Sequence, residues 1–286
     1  MTNRSLESVI DPGYILGSFL VDESDFLAAI APGLCLDVGA HVGQSALKYM
    51  QLGHRCISFE PNPKNLPYLH EKLSVIDDLD SRWEFHQAAV SDTAGEATFT
   101  IPNEVGDDST GWAKDFVGSS ATGSFHAAAG SADAYTVATV TLDDTVTERV
   151  DYLKVDVQGF EHLVLGGARE LLHRGDIGYM KLEFLGNASL LKVVQEAGFY
   201  VFDQQTYQTQ PTLHNTVWED RPIDIVQEGL LSTSKPFRKV SIPTRPRRFD
   251  HYTEFVSKFV SWTDLWCVHS SRLREFLAIA DKLESA

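Results

Sequence analysis

The stretch that most restricts this chain begins at Leu34. Leu34-Cys35-Leu36 is an apolar run that ends in Asp37-Val38 and passes directly into Gly39-Ala40-His41-Val42-Gly43, after which Ala46, Leu47 and Met50 recur at helical spacing. A short apolar strand, a glycine turn and an amphipathic helix form the opening unit of a parallel sheet, because parallel neighbours need a helical crossover between them. Such sheets bind ligands at the carboxyl ends of their strands. Asp37, Gly39 and Gly43 therefore stand where a ligand would.

The same unit repeats along the chain. Arg55 to Phe59 reads as a second strand, closed by Glu60 and by Pro61 and Pro63, with a helix from about Lys64. Trp83 to Val90 reads as one strand, Glu96 to Ile101 as an added one, Tyr135 to Leu142 as another, and Asp151 to Val157 as the fourth main strand, followed by one helix over 160 to 173. Gly178 to Phe184, Gly198 to Asp203 and Asp264 to His269 give the remaining strands, with helices over 188 to 197 and 270 to 283. The expected organisation is a single α/β domain over 1–286, with an N-terminal segment to residue 33, a core over 34–203, an insertion over 204–262 and a final strand and helix. Residues 102 to 133, rich in Gly, Ser, Ala and Asp, read as a long loop.

Charge and composition narrow the partners. With a formal charge of −16, the summed field repels nucleic acid and anionic membrane surfaces. One segment runs against that balance: Lys235, Arg238, Lys239, Arg245, Arg247 and Arg248 lie together with no acidic residue, either as a solvated loop or as a surface for an anionic acceptor. No apolar run is long enough to span a membrane, and the first residues carry no signal-peptide pattern, so a cytoplasmic protein is expected. Cys35, Cys56 and Cys267 each fall within an apolar strand, as reduced core thiols would. Oligomeric state is not legible.

Chemistry concentrates at the strand ends. Asp37 can accept from a ligand ammonium, and Glu60, about twenty residues past the first glycine, has the place of an acid that binds ribose hydroxyls. Three glycines in dinucleotide order are absent, and Asp37 would repel a pyrophosphate, which disfavours a nicotinamide cofactor. Taken singly, each glycine could be an ordinary tight turn and each acid a helix cap. A third cluster, Lys154-Val155-Asp156-Val157-Gln158-Gly159-Phe160-Glu161-His162, puts Lys154, Asp156 and Gln158 on one side if the strand persists. Glu161 could simply favour the helix dipole. Glu183 ends the following strand, with a buried ion pair to Lys154 as its plain structural alternative.

These segments in this order resemble the FkbM family of methyltransferases: DVGAHVGQ at 37–44, FEPNP at 59–63, AAVSD at 88–92, TLDD at 141–144, LKVDVQGFE at 153–161 with VLGGA at 164–168, and KLEF at 181–184. The resemblance implies a Rossmann-like, doubly wound, seven-stranded, mostly parallel sheet with the last strand antiparallel, and S-adenosyl-L-methionine as cofactor. It implies Asp37, Gly39, Gly43, Glu60, Asn62, Ala89 and Asp156 as cofactor residues. It also implies methyl transfer to a hydroxyl of a small molecule, a sugar or natural product. Gln158 stands where many members carry Glu, which argues against an essential proton transfer there. The expected catalytic carboxylate is Asp156, helped by Glu161 or Glu183, with a divalent ion held by the same acids as the less favoured variant. The competing readings are methylation of a carboxylate or amine of a small anionic acceptor, a nicotinamide oxidoreductase, and a cofactor-binding scaffold without turnover.

Overall fold

The computed structural model describes residues 14–18, 22–102, 132–204, 216–218, 221–223, 247–248, 253 and 263–285. In chain order the elements are β1 (Tyr14–Ser18), α1 (Glu23–Ala29), β2 (Leu34–Val38), α2 (Gln44–Gln51), β3 (Arg55–Phe59), α3 (Leu66–Leu73), α4 (Leu79–Arg82), β4 (Trp83–His86), β5 (Ala88–Val90), β6 (Gly95–Pro102) and β7 (Ala132–Val140). They continue with α5 (Leu142–Thr145), β8 (Val150–Val155), α6 (Glu161–Gly166), α7 (Arg169–Arg174), β9 (Ile177–Phe184), α8 (Ala188–Glu196), β10 (Phe199–Asp203), β11 (Thr216–Trp218), β12 (Arg221–Ile223), β13 (Arg247–Arg248), β14 (Thr263–His269) and α9 (Leu273–Ser285). The chain divides into two compact units, Glu23–Gly178 and Met1–Asp22 with Tyr179–Ala286.

In the first unit β8, β2, β3 and β4 are neighbours in that order and all parallel. All five residues of β2 are buried, as a strand covered on both faces requires, which is why it reads as a nearly continuous apolar run. Its one charged member, Asp37, lies in register with Ser58 of β3 and Lys154 of β8. A smaller sheet of order β5-β7-β6 joins a parallel pair to an antiparallel one. In the second unit β1 runs parallel to β10, while β14 runs antiparallel to both β10 and β9. The fold class is Rossmann-like mixed α/β, mostly parallel with the last strand antiparallel; β2, β3, β4, β8, β9, β10 and β14 are the seven expected strands, and β1 and β13 extend the sheet beyond β10 to nine among the described residues.

Several elements differ from the sequence reading for identifiable reasons. The apolar run 83–90 is two strands, not one: β4 pairs with β3 and β5 with β7, so the chain changes sheets at Gln87. Leu142 belongs to a helical turn, because Thr141 caps it by accepting from the Asp144 N–H at 3.1 Å. The helix expected over 160–173 is broken into α6 and α7 at Gly167, where a Cβ would stand 2.0 Å from the Ser91 carbonyl oxygen. The segment before residue 33 carries β1 and α1, and α1 places Glu23 in the core. There the Glu23 carboxylate accepts from the hydroxyls of Tyr49 at 2.7 Å and Tyr152 at 2.8 Å.

The three cysteines are buried free thiols in β2, β3 and β14, as expected. Among the described residues no helix is long and apolar enough to cross a membrane. Of the loop expected over 102–133, Pro102 ends β6 and Ala132 and Asp133 begin β7 while the rest lies outside the described residues, as do most of the expected insertion and the side chains of its basic segment 235–248.

Candidate functional site

Two strand-to-helix turns and one strand end build the site, all within the first unit. At the end of β2 the chain turns through Gly39 (φ 84°), His41 (φ 52°) and Gly43 (φ 81°), a left-handed path that disfavours side chains with a Cβ. The N–H groups of Gly39 and Ala40 both donate to the Phe59 carbonyl at 3.0 Å, which fastens this turn to the end of β3. Gly39 is also forced by proximity, since a Cβ there would meet the Asp156 carbonyl oxygen at 2.0 Å. Gly43 begins α2, and a Cβ on it would make only ordinary contact with Leu69 and Leu73, so its left-handed φ is what requires glycine.

Glu60 closes β3 at 5% exposure. Its Oε2 accepts from the His41 N–H at 2.7 Å, and its Oε1 accepts from the Asn62 N–H at 2.8 Å and the Asn65 side-chain amide at 3.3 Å. Burial pushes the Glu60 carboxyl up to about 7 against the pull of those donors. Burial likewise lowers the His41 imidazole, with the Lys154 charge acting in the same direction. Glu60 is thus a polar group fixed at three points, lining a cleft.

The second turn follows β8, which ends at Val155, one residue before Asp156. The Asp156 N–H donates to the Val38 carbonyl at 3.1 Å, Gln158 (φ 57°) and Gly159 (φ 101°) take left-handed backbone, and α6 starts at Glu161. The Glu161 carboxylate is buried and turned back on its own turn, with Oε1 accepting from the N–H groups of Val157 and Gly159, both at 3.1 Å. The Asp156 side chain is 43% exposed, its Oδ1 accepts from the Gln158 amide at 3.0 Å, and its Oδ2 lies 3.6 Å from the Lys154 ammonium.

Between the two turns stands Lys154. Its Nζ lies 3.3 Å from Asp37 Oδ1 and donates to the Gly39 carbonyl at 3.2 Å. Burial alone would depress this ammonium, but the carboxylates of Asp37, Asp156 and Glu23 outweigh it and hold the pKa above the usual lysine value. Asp37 is fully buried, which raises its carboxyl, with Lys154 opposing; its Oδ2 has no hydrogen-bond partner. The ion-pair partners of Lys154 are Asp37 and Asp156, not Glu183.

Of the residues expected from the sequence, Gly39, Glu60, Ala89 and Asp156 line one cleft together. Asp37 sits immediately behind it, one residue before the lining Val38. Asn62 is buried beside it, and its Oδ1 accepts from the Lys64 N–H at 3.0 Å. Gly43 and Glu161 shape turns and do not line the cleft. Glu183 lies in the second unit, in register with Asp264 of β14. Sequence reasoning passed over Asn65, which braces Glu60; His41, which acts through its backbone; and Phe99, which β6 brings to the cleft wall. The Asn62–Asn65 spacing at a helix start was the one available signal for Asn65. Nothing local marks Phe99, because β6 reaches the cleft only through sheet pairing. Among the described residues no group of three or more His, Cys, Asp and Glu side chains could hold a metal ion.

Comparison with known proteins bears on this geometry. The crystal structure of a methyltransferase FkbM from Methylobacillus flagellatus is 15% identical, covers 61% of this chain with a TM-score of 0.40, and is itself covered over 41% of its length, so this chain spans about two-fifths of it. A precorrin-6y C5,15-methyltransferase from Geobacter metallireducens is 9% identical with a TM-score of 0.38, covering 86% of each chain. An rRNA methylase from Streptococcus thermophilus is 10% identical, covering 86% of this chain and 93% of its own, with a TM-score of 0.39. A search of curated proteins returned no match. The family described as Methyltransferase FkbM domain matches residues 37–205, from Asp37 near the end of β2 to just past β10. The two turns, Glu60 and Lys154 all fall inside that match, and the chain belongs to the FkbM methyltransferase family.

Proposed function

We propose that this chain is an S-adenosylmethionine-dependent O-methyltransferase that acts on a hydroxyl of a small molecule, a sugar or a natural product. The observation that carries the reading is the pair of acids behind and within one cleft: Asp37, fully buried with Oδ2 unpartnered, and Glu60, fixed by three donors on the neighbouring strand end. An adenosyl amino acid has an ammonium at one end and a ribose diol near the other, and these two carboxyls suit them in turn. The residues present therefore fit the cofactor that the family implies. Ala89, with Ala88, Val90 and Phe99, gives the cleft an apolar wall suited to a purine face.

When bound, the cofactor supplies an electrophilic sulfonium methyl, which leaves orientation and proton removal to the protein. Asp156 is the group we assign to the acceptor proton. It lines the cleft, it is partly open, and the Gln158 amide together with the Lys154 ammonium fixes its direction. Glu161 acts one step removed, holding the 157–159 turn in shape. Glu183 is given no step. The cleft is lined by two carboxylates and by no lysine or arginine among the described residues, which favours a neutral hydroxyl over an anionic acceptor.

The decisive measurement is titration calorimetry with S-adenosylhomocysteine on the wild-type chain, Asp37→Asn and Glu60→Gln. Wild type should bind at about micromolar concentration, with each variant at least about tenfold weaker. No binding by wild type, or equal binding by all three, overturns the reading. Transfer of a labelled methyl group to a panel of hydroxyl, carboxylate and amine acceptors then tests the acceptor class.

A further inference from the structure

Resting on that reading of the cleft, we propose that Lys154 is the positioning residue of the cofactor end: its ammonium neutralises the buried Asp37, braces the Gly39 turn, and so sets cofactor affinity without itself touching the cofactor. The placement comes from the sheet. Lys154 of β8 is the direct register partner of Asp37 of β2, so its side chain is laid alongside the acid by strand pairing, not by a loop. At 15% side-chain exposure, its Nζ lies within 3.6 Å of three oxygens from both turns: Asp37 Oδ1, the Gly39 carbonyl and Asp156 Oδ2. It is not among the residues that line the cleft.

The chemistry follows from burial. A carboxylate cut off from water is expensive unless a positive charge faces it. The charged and titratable groups around Asp37 are Lys154 and Asp156 on the β8 side, Glu60 at the end of β3, Glu23 and Tyr49 from α1 and α2, and the thiols of Cys35 and Cys56. Lys154 is the one cation in that set. Without it every charged neighbour of Asp37 among the described residues is an anion, and Asp37 takes up a proton. A protonated Asp37 has no charge to offer an ammonium.

The sign for binding can be stated. A carboxyl that must be ionised to bind loses affinity as pH falls through its pKa. Removing Lys154 moves that loss to higher pH. Calorimetry with S-adenosylhomocysteine from about pH 9 to about pH 6 on wild type, Lys154→Met and Lys154→Arg tests this. Wild type should lose affinity less steeply with acidification than Lys154→Met. Lys154→Met should bind about tenfold more weakly at pH 7 and lose about a further tenfold per unit of acidification, and Lys154→Arg should restore most of the affinity and the wild-type profile. A Lys154→Met profile that overlays wild type overturns the proposal, as does loss without any added pH step.

Should Lys154→Met fail to fold, the neutral pair Asp37→Asn/Lys154→Met takes its place against Asp37→Asn alone. Because the larger part of the effect of Lys154 runs through the Asp37 charge and only the smaller part through the Gly39 brace, the second substitution should then cost less than about threefold in affinity; a further tenfold loss overturns the proposal. Failure of wild type to bind at all is a different result, since it sinks the reading of the cleft and not the role of the lysine within it.

Discussion

The turn after β2 and the turn after β8 have similar materials and opposite exposure. Each follows a parallel strand, bends through left-handed residues and is fixed by a carboxylate that accepts backbone N–H groups: Glu60 for the first, Glu161 for the second. Yet Asp37, inside β2 and one residue before its end, is fully buried, while Asp156, the first residue past the end of β8, is 43% exposed at its side chain. A sealed carboxylate can hold a ligand charge permanently but exchanges protons with difficulty. An open one can take and release a proton. On the function proposed above, that difference would separate cofactor binding from proton transfer across two turns that Lys154 connects.

Gly39 is the sharpest place to break that arrangement, because it is where the two turns touch. A Cβ there would stand 2.0 Å from the Asp156 carbonyl oxygen on a backbone with φ 84°. Gly39→Ala should therefore destabilise the chain by about 3 kcal/mol and push both turns apart, with loss of S-adenosylhomocysteine binding as well. Urea denaturation checks the first effect and calorimetry the second; unchanged stability would mean the turns yield independently.

Next in size is the contrast between the two acids of the second turn. Glu161→Ala leaves the N–H groups of Val157 and Gly159 without their acceptor and should cost about 2 kcal/mol of stability. Asp156→Asn leaves no backbone N–H without its acceptor, and Lys154 keeps its nearer partner Asp37. It should leave stability within about 0.5 kcal/mol and S-adenosylhomocysteine affinity within a small factor, but lower methyl-transfer turnover by about a hundredfold or more. If turnover falls with Glu161→Ala alone, the proton does not go to Asp156.

The first turn makes a pH prediction. Burial raises the carboxyls of Glu60, Asp37 and Glu161, and Glu60 is carried from its ordinary 4.5 to about 7. Their pKa values are higher in the folded than in the unfolded chain, so the folded state binds more protons in that interval. Stability of the ligand-free protein should then fall as pH rises from about 4.5 to about 7, by about 3 kcal/mol from Glu60 at most. The stability of Glu60→Gln should depend less on pH across the same window, as urea midpoints at several pH values would show.

How far the sequence could anticipate these turns depends on what each position answers to. Leu34–Val38 and Arg55–Phe59 were legible residue for residue, because a doubly covered strand must be apolar and the turn residues after it are chemically marked. Asp37 and Glu60 were legible as strand-end acids. Their difference in environment was not, since burial is a property of what packs above them. The division of 83–90 into β4 and β5 depends on which strands pair, and apolar runs do not encode their partners. The role of Lys154 was half visible: alternation put it beside Asp156, but only the register of β8 against β2 gives it Asp37.

The smallest expected effect tests the strain in the second turn. Gln158 holds φ 57°, a left-handed backbone that costs a residue with a Cβ about 1 kcal/mol relative to glycine, and the neighbouring Gly159 already supplies the other half of the bend. What the glutamine contributes in return is the amide that donates to Asp156 Oδ1 at 3.0 Å. Gln158→Gly should consequently raise stability by a fraction of a kcal/mol, about 0.5, while lowering turnover several-fold and leaving S-adenosylhomocysteine affinity alone. A gain in stability with turnover intact would show that Lys154 by itself orients the Asp156 carboxylate, and that the strain at Gln158 serves the path of the chain and not the direction of the acid.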